Sequence, residues 1–179
     1  PYSYVNPMDF VQTNVVGTAN LLNACLANDV NQLVHTSTSE VYGTAQYCPM
    51  DEKHPLKGQS PYSATKIAAD NLVESYYRSF GLPAATVRPF NTFGPRQSAR
   101  AIIPTIILQA LRNDILYLGA LYPTRDLMFI NDTVRGFISA AESGGSVGEV
   151  INLGSGHEIS IGSLAEIILS IMGKREKIQ

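Results

Sequence analysis

An α/β fold, with a parallel sheet covered by helices, is predicted by three features of the 179-residue chain. Segments with strand character alternate with segments of helical periodicity, the pattern of successive βαβ units. The strand segments are unbroken apolar runs rather than alternating ones, as strands buried on both faces require. Finally, 45% of residues are hydrophobic and 16% charged, a balance that favours a packed core over disorder.

Asn6 is placed as an N-cap ahead of Pro7 at the first helical position. The apolar stripe of Phe10, Val11, Val15, Leu21, Leu22, Cys25 and Leu26 then carries a helix to about Ala27. Residues 32–37 are short and β-rich, a buried strand. Residues 43–61 form a long loop, and long loops inside compact domains usually carry function. Tyr62 to Phe80 is helical in pattern, with Gly81 as its C-terminal stop. Residues 84–88 make a second buried strand, 89–98 a Gly/Pro/Asn-rich loop, and about 102–112 a helix. Strands are then expected at 115–118 and 127–130, followed by a helix capped by Asp132 and running to about Glu142. Further strands are expected at 150–153 and 158–161, and a last helix at about 163–172. Gly154-Ser155-Gly156 lacks the third glycine of a dinucleotide fingerprint and reads as a turn between strands.

Several function classes are disfavoured at once. The net charge of −2 offers no basic face to nucleic acid or an anionic membrane. No run reaches the about 18 uninterrupted apolar residues of a membrane span. Two cysteines, Cys25 and Cys48, cannot make a disulfide framework and suit a reducing cytoplasm. His35, His54 and His157 show no metal-ligand spacing with them. The chain opens Pro1-Tyr2-Ser3-Tyr4, with neither Met nor a leader, and is read as a fragment of a longer protein.

The chemistry centres on Tyr62-Ser63-Ala64-Thr65-Lys66. Tyr and Lys four apart at a helix start share one face. A nearby ammonium favours the phenolate and would lower a tyrosine pKa from about 10 towards that of a usable base. Taken alone this pair is common in helices, where an exposed Lys and a core-edge Tyr need no function. Upstream, however, a strand runs into Thr38-Ser39-Glu40. Ligands of open α/β sheets sit beyond the carboxyl ends of the strands. There a Thr hydroxyl can share a substrate hydroxyl with the Tyr, and a Glu can move a proton.

Three ordered strings carry a resemblance: Ser37-Thr38-Ser39-Glu40-Val41-Tyr42-Gly43, Ser60-Pro61-Tyr62-Ser63-Ala64-Thr65-Lys66 and Arg88-Pro89-Phe90-Asn91-Thr92-Phe93-Gly94-Pro95-Arg96. With Asn14-Val15-Val16-Gly17-Thr18, Pro123-Thr124-Arg125-Asp126 and Asn152-Leu153-Gly154-Ser155-Gly156, they resemble the extended short-chain dehydrogenase/reductases acting on nucleotide sugars. The resemblance is greatest to the nucleotide-sugar 4,6-dehydratases of legionaminic-acid-type pathways. It implies a Rossmann-type doubly wound sheet, with residues 1–97 the catalytic half of the cofactor domain. Residues 98–179 would be mainly a small α/β substrate region, with some elements returning to the sheet.

The same resemblance implies residue roles. Tyr62 would be the base, with Lys66 its partner on the nicotinamide ribose, and the backbone at Pro89 would line the nicotinamide site. Thr38 would orient the sugar hydroxyl and Glu40 would take the C5 hydrogen. Asn91 would contact the substrate near sugar and diphosphate, and Arg125 would pair with the diphosphate. Arg96 would reach the same phosphates or brace its loop, and Asn14 would order the helix behind the site. The implied cofactor is NAD, with NADP left open, and the substrate a nucleotide-diphosphate sugar. A homodimer through the 7–27 and 62–80 helices is expected. Nucleotide-sugar 4-epimerase and UDP-glucuronate decarboxylase are the sister activities, and a cofactor-binding regulator or scaffold is the non-enzymatic one. Because no glycine fingerprint appears, the chain alone is expected to bind NAD poorly.

Overall fold

The computed structural model describes residues 2–113, 115–174 and 177–178. The chain divides into two compact units, Pro1–Phe90 with Asn131–Leu153, and Asn91–Ile130 with Gly154–Gln179. The division therefore falls before Asn91 rather than after residue 97, because Asn91–Phe93 is a strand of the second unit's sheet.

The first unit is built on a three-stranded parallel sheet of β1 (Leu33–Thr36), β2 (Ala84–Pro89) and β6 (Val150–Leu153), in the order β1-β2-β6. Leu33 faces Ala84, and Thr86 faces Val150. Parallel neighbours need a crossover, and α3 (Pro61–Phe80) supplies the one between β1 and β2. The sequence expectation of an α/β fold with a parallel sheet is met here. Leu22, Cys25, Val73, Leu82 and Ala84 form the buried apolar cluster between helices and sheet.

The first helix is continuous but not uniform. It runs as α1 (Pro7–Phe10), a π-helical stretch Val11–Val16, and α2 (Gly17–Ala27). The Gly17 N–H reaches Gln12 O, five residues back. Apolar spacing does not register such an extra residue in a turn. Here it accompanies Asn14, whose Nδ2 donates to Thr65 Oγ1 on α3 at 3.0 Å. Asn6 makes no side-chain capping bond, so Pro7 alone marks the start.

Helix α3 begins at Pro61, one residue earlier than the periodicity indicates. Ser60 is its N-cap, in a reciprocal capping box with Ser63. It ends at Gly81, whose φ of 69° is the left-handed stop expected of a glycine there.

The second unit holds β3 (Asn91–Phe93) parallel to β5 (Thr124–Phe129), with β7 (Glu158–Ser160) antiparallel on the other side of β5. Helices α4 (Ile102–Arg112) and α6 (Ile161–Ile171) pack through Ile106, Ala110, Leu164, Ala165, Ile168 and Leu169, together with Leu116 of β4 (Ile115–Leu116). β4 pairs in parallel with β8 (Lys177–Ile178).

Four expectations are corrected. The loop at 89–98 contains β3, visible only through its pairing with β5. The strand expected over 115–118 stops at Leu116, because the Gln109 side chain takes both backbone groups of Tyr117. Helix α5 (Ile130–Glu142) starts straight from β5, so Asp132 lies in its first turn, paired with Arg135, rather than capping it. Helix α6 starts at Ile161 rather than 163 because Ser160 is its N-cap, accepting from the Ser163 N–H at 3.0 Å.

Among the described residues, no helix is long and apolar enough to cross a membrane. No group of three or more His, Cys, Asp or Glu side chains there could hold a metal ion.

Candidate active site

In the first unit the carboxyl end of β1 meets the start of α3. Thr38 caps a 3-10 turn, Ser39–Tyr42, with its Oγ1 accepting the Glu40 N–H at 3.2 Å. That bond occupies a lone pair of the Thr38 oxygen. Its side chain lies close enough to the Tyr62 phenol to oppose the rise in that group's pKa, and the phenol is half-buried in the first turn of α3. The edge of the Tyr62 ring packs against Phe10, with centroids 6.0 Å apart. One turn on, Lys66 Nζ donates to the Thr36 carbonyl at 2.6 Å. Glu40 is exposed, close enough for its carboxylate to act on Tyr62 through charge. Thr38, Glu40, Tyr62 and Lys66 are thus brought together. Pro89 lies in the same unit at the end of β2, opposite Leu153.

The electrostatics differ from the expectation of an ammonium-lowered phenol. Burial is the largest influence on Tyr62 and pushes its pKa up. The charges of Glu40 and Asp70 add to the rise, and the Thr38 hydroxyl beside the phenol opposes it. Burial pushes Lys66 down, with the Asp70 charge opposing. The Lys66 ammonium is directed at the Thr36 carbonyl, and Lys66 is not among the groups that oppose the rise at Tyr62.

In the second unit, Asn91 opens β3 opposite Leu127 and is half-buried. Arg125 is exposed on β5, where its Nη1 donates to the Thr124 carbonyl at 2.7 Å. Arg96 is exposed and holds a φ of 68°, a left-handed conformation uncommon for a residue with a Cβ. Gln97 braces this loop, with its Nε2 donating to the Thr92 carbonyl at 3.0 Å. Residues 154–156 form a turn held by Asp126, whose carboxylate accepts from Ser155 N, Ser155 Oγ and Gly156 N.

Sequence reasoning missed the buried polar residues of the first unit. Asp70 and Arg88 pair at 3.0 Å, and Arg88 Nη1 donates to the Tyr42 hydroxyl, which donates to Asn152 Oδ1. Asn152 in turn bonds the 43–60 loop, through Glu52 Oε1 and the Met50 carbonyl. The available signals were an Arg inside an apolar strand and an Asp four residues after Lys66 on an otherwise core-facing stripe.

The model of the GDP-mannose 4,6 dehydratase family matches residues 1–179. The low-salt glycan biosynthesis protein Agl12 of Haloferax volcanii is 39% identical over 168 residues, covering 93% of this chain and 54% of that protein. The dTDP-glucose 4,6-dehydratase of Bacillus anthracis, solved in complex with NAD, superposes with a TM-score of 0.90 at 33% identity, over 96% of this chain and 56% of its own. The UDP-N-acetylglucosamine 4-epimerase of Methanobrevibacter ruminantium, solved with UDP-N-acetylmuramic acid, gives 0.92 at 30% identity, over 99% and 58%. The chain spans about half the length of the curated relatives it matches. By this match over its whole length, carried on a parallel α/β sheet, the chain belongs to the GDP-mannose 4,6 dehydratase family.

Proposed function

We propose that the protein carrying this chain is an NAD-dependent nucleotide-sugar 4,6-dehydratase. The observation that carries the reading is the convergence of Thr38, Tyr62 and Lys66 with the Glu40 carboxylate at the end of β1. The residues fit the nicotinamide end of the cofactor: an ammonium has three donors, and one of those on Lys66 is committed to Thr36. Lys66, Tyr62 and the backbone at Pro89 would hold that end. When bound, the nicotinamide supplies hydride acceptance at the sugar C4 and hydride return at C6.

The chain's own groups handle the protons. Thr38 orients the C4 hydroxyl towards Tyr62, whose phenolate takes its proton. Oxidation at C4 acidifies the C5 hydrogen, which the Glu40 carboxylate removes. The C6 hydroxyl then departs with the proton taken from C5 as water; as C6 is reduced, C5 takes up a proton from solvent, and Tyr62 releases to solvent the proton it took from the C4 hydroxyl. A 4-epimerase needs no base for C5, so Glu40 favours the dehydratase over its sister activity. In the second unit, Asn91, Arg125 and Arg96 are assigned to the sugar and diphosphate, which suits the fixed charge of the two guanidinium groups.

The protein supplied with NAD and, in turn, UDP-, GDP-, dTDP- and CDP-hexoses should turn one of them into a 4-keto-6-deoxy product that absorbs in alkali. No product from any of them removes the enzymatic reading and leaves a cofactor-binding scaffold.

Met8 and Leu21 on the first helix and Phe80 on α3 are exposed apolar residues. We assign them to a homodimer contact, and a monomeric mass by light scattering would remove that assignment. Free Cys25 and Cys48 support a reducing, cytoplasmic setting.

A further inference from the structure

A buried ionic cluster lies behind the proposed catalytic pair, and the proton steps above make no use of it. Asp70 is 5% exposed and follows Lys66 by one turn and Tyr62 by two, on the same face of α3. Its Oδ2 accepts from Ser37 Oγ at 2.8 Å and from Arg88 Nε and Nη2 at 3.1 and 3.0 Å. Its Oδ1 faces His35 Nε2 at 3.2 Å, without the alignment of a hydrogen bond. Arg88 is itself 4% exposed.

A buried pair of this kind is a poor source of stability, because desolvating two ions offsets most of their attraction. Its clearer consequence is geometric. The end of β1 meets α3 at three successive levels: Thr38 beside Tyr62, the Thr36 carbonyl accepting from Lys66, and Ser37 donating to Asp70 with His35 facing it. Only the last is backed by a second strand, through Arg88 of β2.

We propose that Asp70 is a positioning residue for the Tyr62–Lys66 pair: anchored by Arg88 and Ser37 and faced by His35, it locks α3 against the end of β1 and holds a fixed negative charge behind the ammonium and the phenol. The proposal rests on the roles given to Tyr62 and Lys66 under the proposed function. The Asp70 charge favours the protonated form of both groups. The other titratable or charged groups around it are His35 on β1, Arg88 on β2 and Glu40 beside Tyr62. Glu74 and Glu149 border a cavity of about 120 Å³ that opens against Asp70 and Arg88.

The test is Asp70→Asn in the protein that carries this chain, with two readouts. In the first, without substrate or cofactor, Lys66 is acylated by acetic anhydride across a pH series and quantified by peptide mass spectrometry. Loss of the Asp70 charge should move the onset of acylation to lower pH. In the second, kcat should fall about ten- to a hundredfold with KM for the nucleotide sugar unchanged, the signature of a misplaced base rather than lost binding. The acid limb of the kcat profile should also move to lower pH.

Glu74→Gln, on the same helix in an exposed pair with Arg78, should leave both readouts at wild-type values. If Asp70→Asn does not fold, Asp70→Asn/Arg88→Met leaves no lone buried ion and should show the same shifts. An unchanged acylation profile in a folded variant overturns the proposal, as does a fall in kcat matched by a rise in KM. If the wild-type protein turns over no sugar, the functional reading fails, while the acylation series still decides whether Asp70 acts on Lys66.

Discussion

Tyr62→Phe should lower turnover by about 10²- to 10⁴-fold, the usual share of a general base, while nucleotide-sugar affinity stays at the wild-type value. The change removes one oxygen. The ring keeps its edge contact with Phe10, and α3 keeps its Ser60–Ser63 capping box, so the backbone has no reason to move. Removing the phenol oxygen beside Thr38 should cost at most about 1 kcal/mol of stability, too little to unfold a domain. Titrations of affinity and of kcat on the same sample separate the two effects. A parallel loss of affinity would make Tyr62 a structural residue.

The pH dependence carries a sign. Burial and the Glu40 charge raise the Tyr62 pKa, so the wild-type rate should fall along an acid limb as the phenolate is protonated, and the residual rate of the variant should lack that limb. For stability, a raised folded-state pKa contributes fully below the unfolded value and is lost as pH rises through the folded one. The wild type should therefore lose this contribution only on the alkaline side, and Tyr62→Phe should lose none of it.

What the amino-acid order made legible was local. The long stripe of α3 ends at a glycine that adopts the left-handed conformation its position predicts, and the unbroken apolar strands announced a parallel sheet. Thr38, Glu40, Tyr62 and Lys66 are adjacent because one strand end and one helix start converge, and motif spacing records that convergence. What stayed hidden depends on partners distant in sequence. β3 is a strand because β5 lies beside it. Residues 117 and 118 are lost from the strand expected over 115–118 because a glutamine on α4 takes the backbone groups of Tyr117. The rise in the Tyr62 pKa could not be read from a Tyr-Lys spacing, because burial and the Glu40 and Asp70 charges set it, and burial is a property of the assembled unit. Asp70 and Arg88 escaped for the same reason: each is an odd residue alone and a reasonable one only as a pair.

Glu40→Gln should stall the reaction one step later than Tyr62→Phe. Glu40 is exposed on the 3-10 turn after β1, and only its backbone N–H is used by Thr38, so the amide variant should fold and leave the Thr38–Tyr62 arrangement intact. Removing the carboxylate removes the base for C5, and elimination should slow by about 10²- to 10⁴-fold. Mass spectrometry of quenched reactions should then find a 4-keto sugar that retains its C6 hydroxyl. In deuterated water the wild-type product should carry deuterium at C5, and the stalled ketone should not. The variant also loses a charge that raises the Tyr62 pKa, so the acid limb of the oxidation step should move to lower pH. Unimpaired elimination with normal C5 exchange would place the base elsewhere. Loss of the ketone itself would place Glu40 in the first step. The double variant Tyr62→Phe/Glu40→Gln should accumulate no ketone, because a hydrogen at C5 is acidic only after C4 has been oxidised, and that order assigns the phenol to the first proton and the carboxylate to the second.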